Sequence, residues 1–329
     1  MSARGIFKQL LRAAGRRAPM RAGLLAGLRA AVRVWPEGKI RDAVVGPVTT
    51  YFLPPEYRTI VTMADGTRLY GSPLDIVTRM ILYFGGTRAG CWEPRTARIA
   101  MAIAGRGGDI IVGGAHVGFF AISLARSAAS VGGRVFAFEP AAVMFEELQR
   151  NVSLNDVPNL TVEWQALLDS SGSATLYLQG VRSSLHQPTK GPVDQRERVT
   201  LVSIGDYTAR HGIARVSLLL LDIEGAELVA LRGAEGLLRS QNAPDVLFEI
   251  IGGSPAGAPA AEYLSALGFT VYYVDDDYDL TFREADVPLR VRPLSDAPAG
   301  HRYFNALATR WPDRLASIDV IAEGTPSAA

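Results

Sequence analysis

The chain has 329 residues, 48% of them hydrophobic, enough for a sizeable core in one large domain or one domain with additions. Its formal charge of +1 hides an asymmetry: residues 1–41 hold ten Lys/Arg against one acid, Glu37, for +9, and the remainder therefore carries −8, which argues against a nucleic-acid-binding body. A single cysteine, Cys91, excludes an internal disulfide and fits cytoplasmic residence, and no run of 18 uncharged apolar residues is present to span a membrane.

Residues 5–17 predict a helix with Ile6, Phe7, Leu10, Leu11 and Ala14 on one face and Lys8, Arg12 and Arg16 off it. Such a helix either packs on its own domain or lies on an anionic membrane. Five apolar side chains make a small anchor, which favours the first reading and leaves peripheral membrane contact as the second. Gly23 to Val32 is apolar, but Arg29 and Arg33 make it a poor signal-peptide core. The basic helical segment is placed at 1–44. Residues 45–72 read as β-rich, with a hairpin signal at Ala64-Asp65-Gly66-Thr67. Helices are expected from Leu74 to Phe84 and from Thr96 to Ala104, so that 45–106 would cap the cofactor end of a following domain.

The strongest local pattern runs from Gly108 to Pro140. An apolar strand (Ile110 to Val112) meets a Gly-rich turn, Gly113 to Gly118, then an apolar-periodic helix, a Gly132-Gly133 break, and a second strand ending in Glu139-Pro140. Glycines tolerate positive φ and close backbone approach. Ligands of parallel sheets sit beyond the carboxyl ends of the strands. A carboxylate ending the neighbouring strand would accept both hydroxyls of a ribose. Gly114, Ala115, His116, Gly118, Glu139 and Pro140 are therefore the cofactor-binding candidates. NAD and S-adenosylmethionine sites share this pattern, and a tight turn without ligand would also produce it. An NAD fingerprint would want glycines at 116 and 119, where the chain has His116 and Phe119.

Beyond Pro140 strands and helices alternate. A helix is expected over Val143 to Val152, with strands at Leu160 to Trp164, Ala174 to Leu178 and Val199 to Val202. The apolar run Val216 to Leu221 suits the centre of a parallel sheet. A helix over Ala226 to Leu238 follows, then a strand at Val246 to Ile250, a helix at Ala260 to Leu267, and strands at Thr270 to Val274 and Arg302 to Ala308. Asp275, Asp276, Asp277 and Asp279 read as a solvated turn, and residues 311–329 as a tail. About seven strands closing on a terminal antiparallel hairpin indicate an α/β doubly wound, Rossmann-like sheet over 107–310, and the hairpin fits the methyltransferase variant of that architecture better than a dinucleotide dehydrogenase.

The ordered pieces GGAHVGFF, GRVFAFEP, NVSLN (Asn151 to Asn155), ALLDSSGSATLYL (Ala166 to Leu178), LLLLDIEGAELVALRGAEGLL (Leu218 to Leu238) and VLFEI (Val246 to Ile250) resemble the FkbM family of S-adenosylmethionine-dependent methyltransferases. Glu93-Pro94 resembles a short acid–proline element upstream in that family. The resemblance implies a class I methyltransferase fold, S-adenosylmethionine as cofactor, Ala166 among its contacts, and methyl transfer to a hydroxyl oxygen of a saccharide or secondary metabolite. The sequence departs from the family where Val112 replaces an acid and His116 an Asn. The alternative reading is therefore a non-catalytic domain of the same fold that binds a nucleoside or a partner.

O-methylation needs a positioned hydroxyl and a proton acceptor. Asp222, just past the central strand, is assigned as the orienting or general-base carboxylate, with Glu224 as its partner; the alternative is that both cap the next helix. His186, in the polar loop 180–198, is the second candidate base. Glu249, ending its strand, and Glu93 are assigned to the acceptor pocket. Asp222 and Glu224 have no third ligand beside them in the sequence, so no metal is called for.

Overall fold

The computed structural model describes residues 3–34, 39–54, 56–84, 92–179, 182–185, 193, 195–251, 258–276, 289–298 and 303–322. The chain divides into two compact units, one of residues 1–94 with 277–286, the other of 95–276 with 287–329.

The first unit holds α1 (Ala3–Gly15), α2 (Ala18–Val34), α3 (Lys39–Phe52), an antiparallel pair β1 (Thr59–Thr62) and β2 (Arg68–Gly71), and α4 (Ile76–Phe84). A Cβ on Gly15 would run into the Phe52 carbonyl, so the end of α1 lies directly against the end of α3. Arg21 closes that corner, donating from Nη1 to the Gly15 carbonyl at 3.0 Å and stacking 4.5 Å over Tyr57. The hairpin falls where the sequence places it: Gly66 has φ 84°, and Asp65 Oδ1 accepts the Thr67 amide at 2.9 Å. The β-rich reading is wrong for residues 45–52, which belong to α3. Thr49 and Thr50, residues with strand preference, donate their hydroxyls to the carbonyls of Val45 (2.7 Å) and Gly46 (2.9 Å), a bond made only in helix. Val45, Thr49 and Phe52 are then buried on one face.

The second unit opens with α5 (Pro94–Ala104), then β3 (Asp109–Gly113), α6 (Phe119–Ala129), β4 (Val135–Phe138), α7 (Ala142–Ser153), β5 (Leu160–Glu163), β6 (Ala166–Leu168), β7 (Gly172–Gln179), β8 (Arg182–Ser184), β9 (Gln195–Ser203) and α8 (Ile204–Arg210). It continues with β10 (Val216–Leu221), α9 (Glu227–Arg232), α10 (Glu235–Leu238), β11 (Asp245–Ile251), α11 (Pro259–Ala266), β12 (Thr270–Val274), β13 (Leu289–Pro293), β14 (Tyr303–Thr309) and β15 (Val320–Ala322). The main sheet runs β15-β13-β12-β14-β11-β10-β3-β4-β5. Strands β5, β4, β3, β10 and β11 are parallel, and β14 enters antiparallel between β11 and β12. In order of appearance, the seven strands from β5 to β12 lie third, second, first, fourth, fifth, seventh, sixth. This is the doubly wound methyltransferase arrangement. The predominantly apolar sequences of β3, β4 and β10 follow from their central place, covered on both faces.

Several expectations are corrected. The strand candidates at 174–178 and 199–202 are not in the main sheet; with β6 and β8 they form a separate four-stranded sheet, β6-β9-β7-β8. Strands β13 and β15 extend the far edge to Ala322, past residue 311 where a tail was expected. The helix read over 226–238 is two helices, α9 and α10, separated at Gly233, where a Cβ would strike the Leu168 carbonyl. Asp276 is no solvated turn residue. It is 4% exposed and caps α5, accepting the amides of Arg95 (2.7 Å) and Thr96 (3.1 Å) and the Thr96 hydroxyl.

Candidate active site

The switch point of the sheet lies between β3 and β10. From β3 the chain winds outward through β4 and β5, and from β10 it winds the other way. Gly113, Phe138, Leu221 and Phe248 stand at one level across the carboxyl edge. The loops that leave the sheet at this edge therefore line the crevice in which doubly wound folds bind ligands.

After β3 the turn is held from below. The amides of Gly114 and Ala115 both donate to the Phe138 carbonyl, at 3.0 and 2.9 Å. Gly114 (φ 76°) must be glycine, since a Cβ there would run into the carbonyl oxygen of Asp222. A Cβ on Gly118 (φ 95°) would lie 2.8 Å from Leu148 Cδ1. Both glycines thus serve close packing inside the protein. His116 takes φ 50°, and its amide donates to Glu139 Oε2 at 2.8 Å.

Glu139 ties two loops together. Its Oε1 accepts the Ala141 amide at 2.9 Å while Oε2 holds His116. Burial pushes its carboxyl up, opposed by those two amides and by the nearby His116. Glu197 from β9 accepts the Ala142 amide at 3.0 Å, so the start of α7 is held by one carboxylate adjacent in sequence and one distant. Ala166 packs with Ala141, Leu176 and Val199, which sets the small sheet against the tip of β4. Pro140 accepts the indole N–H of Trp164 at 2.9 Å, and that ring stacks on Phe145 while remaining 51% exposed.

After β10 comes Asp222-Ile223-Glu224-Gly225. The Asp222 amide donates to the Gly113 carbonyl at 3.1 Å, which joins this loop to the first turn. Burial pushes the Asp222 carboxyl up to about 7, with Glu224 and Glu227 adding to the rise and His116 opposing it. The residue keeps an intermediate exposure and so stays reachable. Glu224 has φ 53°, a strained conformation for a side chain of its size. Glu227, the first residue of α9, ties this loop down: its Oε1 accepts the amides of Ile223 (3.0 Å) and Gly225 (3.3 Å).

Gly114, Ala115, His116, Gly118, Glu139, Pro140, Asp222 and Glu224 are thus brought to one edge. Glu249 pairs with Asn305 of β14, one step past Phe248 and level with Asp222. Glu93 belongs to the first unit, where it is buried with φ 45°. His186 lies outside the described residues. Among those residues four non-glycines have positive φ, and three of them are Glu93, His116 and Glu224; backbone strain of this kind gathers at functional sites.

Sequence reasoning missed three contributors. Glu227 hid in the Asp-Ile-Glu-Gly-Ala-Glu run as a first-turn acid. Asn151, fully buried, donates from Nδ2 to the Val117 carbonyl at 2.7 Å; a polar residue on the apolar face of α7 was the available signal. Trp164 read only as the end of a strand. Val112, where the family resemblance wanted an acid, is fully buried between Ala137 and Leu220, so the place of that carboxylate is filled by apolar packing.

Residues 113–271 match the methyltransferase FkbM domain. This stretch of the chain is similar to the FkbM methyltransferase domain. Methyltransferase sdnD of Sordaria araneosa is 27% identical over 157 residues, 38% of this chain and 60% of that protein. Among solved structures, methyltransferase FkbM from Methylobacillus flagellatus KT aligns at a TM-score of 0.37 and 16% identity, over 61% of this chain and 43% of its own. The tRNA (uracil-54, C5)-methyltransferase of Pyrococcus abyssi, solved with S-adenosyl-L-homocysteine, aligns at 0.38 and 15% identity, over 76% of this chain and 43% of its own. The chain thus spans less than two thirds of each of these relatives. The FkbM match begins at Gly113 and ends in β12, so it takes in the turn, Glu139, the small sheet and the Asp222 loop.

Proposed function

We propose that this protein is an S-adenosylmethionine-dependent methyltransferase acting on a hydroxyl oxygen of a saccharide or secondary metabolite. The observation that carries the reading is the pairing, across the switch point, of the Gly114–Gly118 turn and the Asp222–Gly225 loop, with Glu139 at the neighbouring strand end. The residues suit the cofactor. Glu139 spends one lone pair of each oxygen on an amide and keeps the others for a ribose diol. When bound, S-adenosylmethionine supplies an activated methyl group on a sulfonium. The turn and Pro140 would flank the nucleoside, with Ala166 behind them. Asp222 would orient the acceptor hydroxyl and take its proton, a task suited to a carboxyl raised to about 7. Glu224 and Glu227 keep that carboxyl basic by their charge, and Glu249 would border the acceptor.

The test is calorimetry and thermal melting with S-adenosylhomocysteine, followed by methyl transfer from labelled cofactor to a panel of hydroxylated acceptors. At about a hundred times its dissociation constant the ligand should add about 2.7 kcal/mol of stability. A shift with NAD and none with S-adenosylhomocysteine would overturn the reading. Binding without transfer to any acceptor would favour a non-catalytic domain, the reading to which the apolar packing of Val112 points.

A further inference from the structure

The positive charge of the molecule is concentrated where the catalytic reading has no use for it. Between Met1 and Pro36 there are eight Lys/Arg and no Asp or Glu. Two of the arginines are engaged in the fold: Arg21 on the end of α1, and Arg29, whose Nε donates to the Leu82 carbonyl at 2.8 Å. Arg12, Arg16 and Arg17 are exposed around the α1–α2 corner.

The apolar stripe of α1 is wider than the surface available to cover it. Leu11 and Ala14 are half-buried and Gly15 is buried against Phe52. Leu10, on the same stripe, is 64% exposed, and Met20 in the first turn of α2 is 48% exposed. Two large apolar side chains and three arginines are therefore exposed on α1, the corner after it and the start of α2, Arg12 of α1 lying off its apolar stripe. A protein surface exposing isolated apolar groups is ordinary. A cationic helix with an uncovered apolar edge is the composition of an interfacial helix.

We propose that α1 and the start of α2 form a docking surface for an anionic phospholipid membrane. Charge complementarity selects this occupant. Leu10 and Met20 would enter the headgroup–acyl boundary while Arg12, Arg16 and Arg17 pair with lipid phosphates and carboxylates. The residues beyond 41 carry a net −8, so the net positive charge that would attract an anionic surface lies in residues 1–41. Among the described residues no helix is long and apolar enough to cross a membrane, and contact at the surface requires none.

The test uses the full chain in sedimentation with phosphatidylcholine vesicles, with and without phosphatidylserine. Binding is expected only to the anionic vesicles. It should fall steeply with salt, because screening contracts to about 3 Å at 1 M. The triple variant R12E/R16E/R17E should lose binding at least about ten-fold, and the double variant L10S/M20S should weaken it while keeping the salt dependence. Both should keep the wild-type melting temperature and S-adenosylhomocysteine affinity, which separates this proposal from the catalytic one. Equal binding to neutral vesicles, wild-type binding by the folded triple variant, or preference for duplex DNA over anionic vesicles would each overturn it. If the triple variant does not fold, R16Q/R17Q carries the same expectation in smaller measure.

Discussion

As the proton acceptor proposed above, Asp222 would combine two demands that oppose each other. A proton acceptor at neutral pH needs a carboxyl less acidic than usual, and the folded chain provides this by burying it near Glu224 and Glu227. The cost appears in stability. The folded-state value, about 7, lies above the ordinary 3.8, so between those values the folded protein holds the proton more tightly than the unfolded chain. Stability therefore declines as pH rises through that window and levels off above it. Asp222→Asn removes the charge that is hard to bury. We expect this variant to melt higher than wild type at pH 8, to match it near pH 4, and to lose about a hundred-fold or more in transfer rate. Wild-type transfer should fall as pH drops through about 7. Equal melting temperatures at pH 8, or a variant that transfers normally, would show that Asp222 neither carries the burden nor does the chemistry.

The elements show why some of this was legible and some was not. The strand–turn–helix–strand unit at 108–140 and the strand ending at Leu221 follow from apolar runs, glycines and spacing, which act locally. The small sheet was misplaced because its strands have the same β preference as those of the main sheet, and only packing of Ala166 and Val199 on Ala141 decides which sheet they join. The α3 error has a similar origin: Thr49 and Thr50 satisfy the helix through their hydroxyls against their propensity. Glu227 was overlooked because its role is to hold other residues. It shapes the Asp222–Gly225 loop through two amides and also contributes charge. The two roles separate by substitution. Glu227→Ala should lose about 1–3 kcal/mol and most activity. Glu227→Gln keeps the accepting oxygen and should retain stability, while the acidic limb of the pH–rate profile moves to lower pH. Retained stability in Glu227→Ala would mean the loop does not depend on this side chain.

Over the whole molecule, the charge separation and the sheet order are the two features with long reach. Strand β14 has a double attachment: Ala308 pairs with Val246 of β11 on one side and with Val271 of β12 on the other. A chain ending after Pro298 would lack it, leaving long apolar strand edges that invite association between chains. Such a truncation should be recovered mainly as insoluble protein; a soluble monomer with the wild-type circular dichroism would refute this. The same attachment has a consequence for synthesis. A ribosome delivers β11 and β12 before the strand that joins them; β11 can pair with β10 as it emerges, but β12 cannot join the sheet until β14 is made. Half of the sheet waits for residues 303–309, and its completion is a late event of high sequence separation. For that interval the nascent chain has its parallel half-sheet beside bare strand edges, and it is then, more than in the mature state, that it would need a chaperone.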